Sequence, residues 1–89
     1  MLVKVTSNHI DRGKRCHPVH CPVGLACSES GLNEFVVNRG AIYFYREKSK
    51  QELRMDKGLL DWVIRFDRKK DVSPFNFELD MTENTAVMK

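Results

Sequence analysis

Apolar residues recur in this chain at two different periods, and each change of period marks a boundary between elements. Near the start Leu2-Val-Lys-Val5 alternates, with Val3 and Val5 on one face and Leu2 on the other, as a short half-buried strand does. Thr6 then stands where an N-cap belongs and opens a brief helical turn over Ser7–Arg12, which Gly13 is expected to end in a left-handed conformation. His9 occupies the third helical position, where a capping box carries Glu or Gln, and reads as a capping or surface histidine. Lys14–His20 is basic, is broken by Pro18 and reads as a loop. Pro22 suits a first helical turn, which puts Cys21 near an N-cap; that helix runs through Val23, Leu25, Ala26 and Cys27 and stops at Gly31. Gly24 costs about 1 kcal/mol relative to Ala inside a helix. It is justified if close packing needs its missing side chain, and with Ala26 it would let the helix approach a sheet closely.

Further along, Glu34–Asn38 and Ala41–Arg46 are strand candidates joined by Arg39-Gly40, a hairpin in which Gly supplies a positive φ. Lys48–Arg54 is polar and reads as a connecting loop whose end could begin a strand. Asp56 can cap a helix in which Leu59, Trp62, Val63 and Phe66 recur at helical spacing, with Leu60 and Ile64 widening the stripe. Phe75, Phe77 and Leu79 alternate on a last strand entered from Pro74. Residues 81–89 lack periodicity and are expected to form a mobile tail after a single domain over 1–80. The resulting β-α-β-β-α-β order predicts an α+β, two-layer domain: a small, mostly antiparallel sheet with two helices. Ferredoxin-like topology is the specific arrangement that order suggests.

Composition changes this picture little. A chain of 89 residues is close to the size at which one core suffices without staples, and its apolar content argues against disorder. The longest apolar run, Ala41-Ile-Tyr-Phe-Tyr45, is too short to span a bilayer, and the N-terminal stretch lacks a signal-peptide core. Three cysteines do not suit a disulfide framework, so a reduced, cytoplasmic protein without membrane attachment is expected. The net charge of +3 is mild. Basic residues fall into three groups: Arg12, Lys14 and Arg15; Lys48, Lys50, Arg54 and Lys57; and Arg65, Arg68, Lys69 and Lys70. Glu47, Glu52, Asp56, Asp67 and Asp71 dilute the second and third.

Candidate chemistry is concentrated in Arg12–Cys27. Cys16, His17, His20 and Cys21 are ligand types that structural zinc uses. Their spacing opposes the assignment, because they are two adjacent pairs and neighbouring side chains in an extended chain point apart. Cys27 lies six residues beyond Cys21, a rise of about 9 Å and a turn of about 240° along a helix. No metal or other cofactor is therefore favoured. Cys21 at a helix start, with His20, Arg15 and Lys14 nearby, invites a thiol or redox reading, but there is no CxxC and no obvious partner base.

Three segments together resemble a group of small, mostly uncharacterised bacteriophage-encoded proteins. They are Thr6-Ser-Asn-His-Ile-Asp-Arg-Gly13; Cys21-Pro-Val-Gly-Leu-Ala26, against a CPVALA-like helix start in the group; and Phe66-Asp with Val72-Ser-Pro-Phe-Asn-Phe-Glu-Leu79, which contains a PFxFEL strand. The resemblance implies a small non-enzymatic product working inside a bacterial cell. Two binding functions follow as expectations. The first is a protein that binds a host protein or protein–nucleic acid complex and modulates or inhibits it, such as a defence system. Its contacts would come from Arg12, Lys14, Arg15, His17 and His20 and from Lys48, Lys50 and Arg54, with Tyr43 and Tyr45 as aromatic anchors. The second is a direct nucleic-acid module in which Tyr43, Phe44 and Tyr45 stack bases and flanking cations meet phosphates.

Overall fold

The computed structural model describes residues 1–46 and 48–89; Glu47, counted above among the diluting acids, lies outside them. The elements are β1 (Leu2–Val5), α1 (Ser7–Arg12), α2 (Pro22–Glu29), β2 (Phe35–Asn38), β3 (Ala41–Arg46), β4 (Ser49–Met55), α3 (Lys57–Asp67), β5 (Phe75–Asp80) and β6 (Thr85–Met88). The α+β class holds, with three helices rather than two among the described residues and a six-stranded sheet in the order β1-β5-β6-β4-β3-β2. Neighbours are antiparallel except β4 and β6, which run parallel through Arg54↔Thr85 and Met55↔Ala86. The ferredoxin-like expectation needs the first strand inside the sheet. Here β1 is an edge strand whose one partner is β5.

Two further differences from the sequence reading concern the sheet's centre. The expected loop Lys48–Arg54 supplies most of β4, because Leu53 is fully buried while Lys50, Glu52 and Arg54 alternate with it toward the other face. Residues 81–89 are not a tail after a domain ending at 80. A turn at 81–84 returns the chain so that β6 lies between β5 and β4, burying Ala86.

Helix starts follow the capping logic. The Thr6 side chain accepts from the His9 N–H at 3.4 Å, while His9 Nδ1 accepts from the Thr6 N–H at 2.9 Å, so the imidazole completes a capping box in place of Glu. His9 is accordingly buried rather than a surface residue. Asp56 caps α3 through the Leu59 N–H at 2.9 Å and also accepts from Met88 N–H at 3.2 Å, tying the helix start to the end of β6. Gly40 has φ +97° in the β2–β3 turn, as a hairpin glycine there should. Gly13 does not adopt the expected left-handed conformation: its φ is −68°, and it is needed because a Cβ would sit 2.6 Å from the Pro22 ring.

One buried cluster joins sheet and helices. It takes Val3 and Val5 from β1, Ile42 and Phe44 from β3, Leu53 from β4, and Phe77 and Leu79 from β5, with Leu59, Trp62, Val63 and Phe66 from α3. Each such side chain contributes about 1.5–3 kcal/mol on burial. The opposite sheet face carries Leu2, Lys4, Tyr43, Tyr45, Lys50, Glu52 and Arg54, all exposed or half-buried. No helix among the described residues is long and apolar enough to cross a membrane.

Candidate functional site

The Cys/His segment folds into a braced loop. Lys14 N–H donates to the His20 carbonyl at 2.8 Å and closes it, and Val37 N–H donates to the Pro18 carbonyl at 2.7 Å, fastening it to the free edge of β2. His17 Nδ1 accepts from the N–H groups of Val19 and His20 at 3.2 and 2.9 Å, and the His17 and His20 rings stack at 4.7 Å. The Arg15 guanidinium lies 5.5 Å from the Phe66 ring centroid, a cation–π contact on the helix side of the sheet. Arg12 is engaged separately, by Asn8 and by Glu29 at 3.1 Å. Glu29 also accepts from His9 Nε2 at 2.8 Å, and that bond is the main cause holding its carboxyl below the usual range.

The residue that positions this loop is Asp67, which the sequence offered only as a diluting acid. Its side chain is 6% exposed, takes the Cys16 N–H on Oδ1 at 2.9 Å and faces Arg39 Nε at 3.4 Å. Cys16 sits there at φ +57°, its sulfur 4.0 Å from Arg39 Nη2. Cys16, His17, Cys21, Asn38, Arg39 and Asp67 help to line a cleft of about 300 Å³. A carboxylate in the last residue of a helix opposes the macrodipole, and that misfit was the available signal that Asp67 has another duty.

This arrangement does not gather the proposed ligands. Among the described residues no group of three or more His, Cys, Asp or Glu side chains is placed to hold a metal ion. Cys21 is the N-cap of α2, with its sulfur accepting from Gly24 N–H at 3.3 Å. Burial pushes its thiol pKa up, outweighing that hydrogen bond, and the nearby Asp67 charge pushes the same way. Cys27 is buried in the core and pushed up to about 12 by desolvation. Only Cys16, among the three thiols, is exposed.

The remaining candidates meet on the outer sheet face, at the β3–β4 hairpin. Phe44 points into the core, whereas Tyr43 and Tyr45 point away from it. Tyr45 lies opposite Lys50 in the ladder and Tyr43 opposite Glu52. Lys50 leans diagonally, so that its Nζ stands 4.5 Å from the Tyr43 ring centroid. Tyr45 keeps half its surface open, at 50% exposure. Lys48, at φ +67° in the connecting turn, and Arg54 farther along β4 are both exposed. The ten predicted contact residues therefore divide: Tyr43, Tyr45, Lys48, Lys50 and Arg54 belong to the hairpin, while Arg12, Lys14, Arg15, His17 and His20 lie before α2, with Arg12 in α1 and the other four in the braced loop.

Comparison with models of protein families, with curated proteins and with solved structures finds no match to this chain.

Proposed function

We propose that this chain is a small, phage-type, non-enzymatic protein of the bacterial cytoplasm that binds a host macromolecule through its outer sheet face and modulates or inhibits it, a defence system being the candidate target. The observation carrying this reading is Tyr45, a large ring half open to solvent on a sheet face whose neighbours Lys48, Lys50 and Arg54 are also exposed. Tyr and Arg are residue types enriched at binding interfaces, and a polar, solvent-accessible rim around an aromatic anchor is their usual setting. The braced loop is the weaker contact candidate, because Arg12 and Arg15 are already engaged within the protein. Burial and the raised pKa values of Cys21 and Cys27 speak against thiol catalysis.

The test is retention of host partners on immobilised protein. Wild type should hold a saturable partner that Tyr45→Ser combined with Lys50→Glu releases, while Lys14→Glu combined with Arg15→Glu retains it. The reverse pattern would move the contact to the loop and overturn the assignment of the sheet face.

A further inference from the structure

We infer that the partner on this face is a single-stranded nucleic acid, with one base stacked on Tyr45 and adjoining phosphates held by Lys48, Lys50 and Arg54. This rests on the outer sheet face being the contact surface and adds the chemistry of what lies there. A half-exposed phenol ring on an uncovered sheet is a platform that any base can use, since every base presents a flat π-face. Tyr43, two residues along the same strand and about 7 Å away, is not a second platform. Its ring is already covered by the Lys50 ammonium.

That contact has an electrostatic consequence. It holds the Lys50 charge close above the sheet, over the Tyr43 ring one side-chain position along from the Tyr45 base seat, instead of leaving it to sweep through solvent. Lys48 adds a cation at the turn, and Arg54 adds one four residues beyond Lys50, about 13 Å along β4. The three cations thus outline a track along the hairpin with Tyr45 at its turn end. Glu52, between Lys50 and Arg54, interrupts the track and limits it to a few phosphates. A closed duplex hides its base faces and cannot use Tyr45, so the site selects single strands. Stacking without base-edge readout makes it tolerant of sequence. An acidic protein segment would satisfy the cations but leave the ring without a flat partner.

The experiment is fluorescence anisotropy with short labelled oligo(dT) and oligo(U), and with a duplex of equal length, from low to physiological salt. Three phosphate contacts on a single strand predict a log–log salt slope of about −2. Tyr45→Ser should weaken binding about tenfold and leave the slope unchanged. Lys50→Gln should flatten the slope by roughly one contact, about 0.7. The duplex should bind more weakly than either single strand. If no oligonucleotide binds at low salt while the Tyr45/Lys50 double variant still releases a host protein, the nucleic-acid inference falls and the face assignment stands. If oligonucleotides bind and neither substitution matters, this face is not their site. Circular dichroism of each variant, altered only at an exposed position, checks that the fold is intact.

Discussion

Replacing Gly24 by Ala sets helix propensity against packing, and the structure decides the winner. In an unobstructed helix the change would stabilise by about 1 kcal/mol. A Cβ on Gly24, however, falls inside the Val19 carbonyl, with the carbonyl carbon at 2.7 Å and Val19 Cα at 3.3 Å. The obstacle is backbone, so no rotamer change relieves it. The close approach that Gly24 permits is therefore with the braced loop, not with the sheet as its spacing beside Ala26 suggested. Val19 cannot retreat freely either, because Pro18 is bonded to β2 and His20 to Lys14. A retreat would sacrifice one or two of those hydrogen bonds, each worth about 0.5–1.5 kcal/mol net. Overpacking of this kind costs about 1–3 kcal/mol by itself. Offsetting the propensity gain leaves a net loss of about 2 kcal/mol, or a fall of roughly 2 M in urea midpoint at a slope near 1 kcal/mol/M. Ser28→Ala, on the exposed side of the same helix, serves as the control and should move the midpoint slightly upward. Equilibrium urea unfolding followed by Trp62 fluorescence reads both. A Gly24→Ala protein as stable as wild type, or more so, would refute the packing of the loop on α2.

Two other perturbations probe the same region. Asp67→Ala strands the Cys16 N–H and removes a charge-assisted bond worth about 1.5–3 kcal/mol, so the urea midpoint should drop and trypsin should cut faster after Lys14 and Arg15; unchanged proteolysis would mean that Asp67 does not brace the loop. Under native conditions at neutral pH a thiol-specific chromogenic reagent should find one fast thiol, abolished by Cys16→Ser, with Cys21 and Cys27 reacting only as fast as the protein opens; a second fast thiol would contradict their burial.

Where one residue carries both local chemistry and position, the sequence was readable. Pro22 after Cys21, Asp56 before the stripe Leu59, Trp62, Val63 and Phe66, and the hairpin glycine Gly40 each act within a few residues of themselves, and each holds in the structure. The alternation of Val3 and Val5, and of Phe77 and Leu79, was legible for the same reason, since one face of each strand meets the core. The capping role of His9 was half-legible. Its position was right for a capping box, but imidazole is an unusual acceptor there, and its second partner, Glu29, comes from α2, twenty residues on.

What escaped the sequence depends on partners distant along the chain. β4 presents Leu53 and, half-buried at its end, Met55 to the core, but the polar Gln51 at the preceding inward position leaves too weak an alternation to announce a strand. β6 has only four residues and little apolar pattern, yet β5 and β4 flank it and backbone pairing on both sides holds it. A small residue such as Ala86 suits that place because it lets the helix layer approach the sheet's centre, and Asp56 secures the arrangement by accepting from both Leu59 and Met88. The candidate site follows the same division. Tyr43 and Tyr45 were visible as residues, but only the pairing of β3 with β4 brings Lys50 beside both, and its diagonal lean covers the Tyr43 ring and leaves Tyr45 open. That asymmetry, set by strand pairing and the lean of one lysine, distinguishes two equivalent-looking tyrosines: Tyr43 carries a cation on its ring and Tyr45 stays half open.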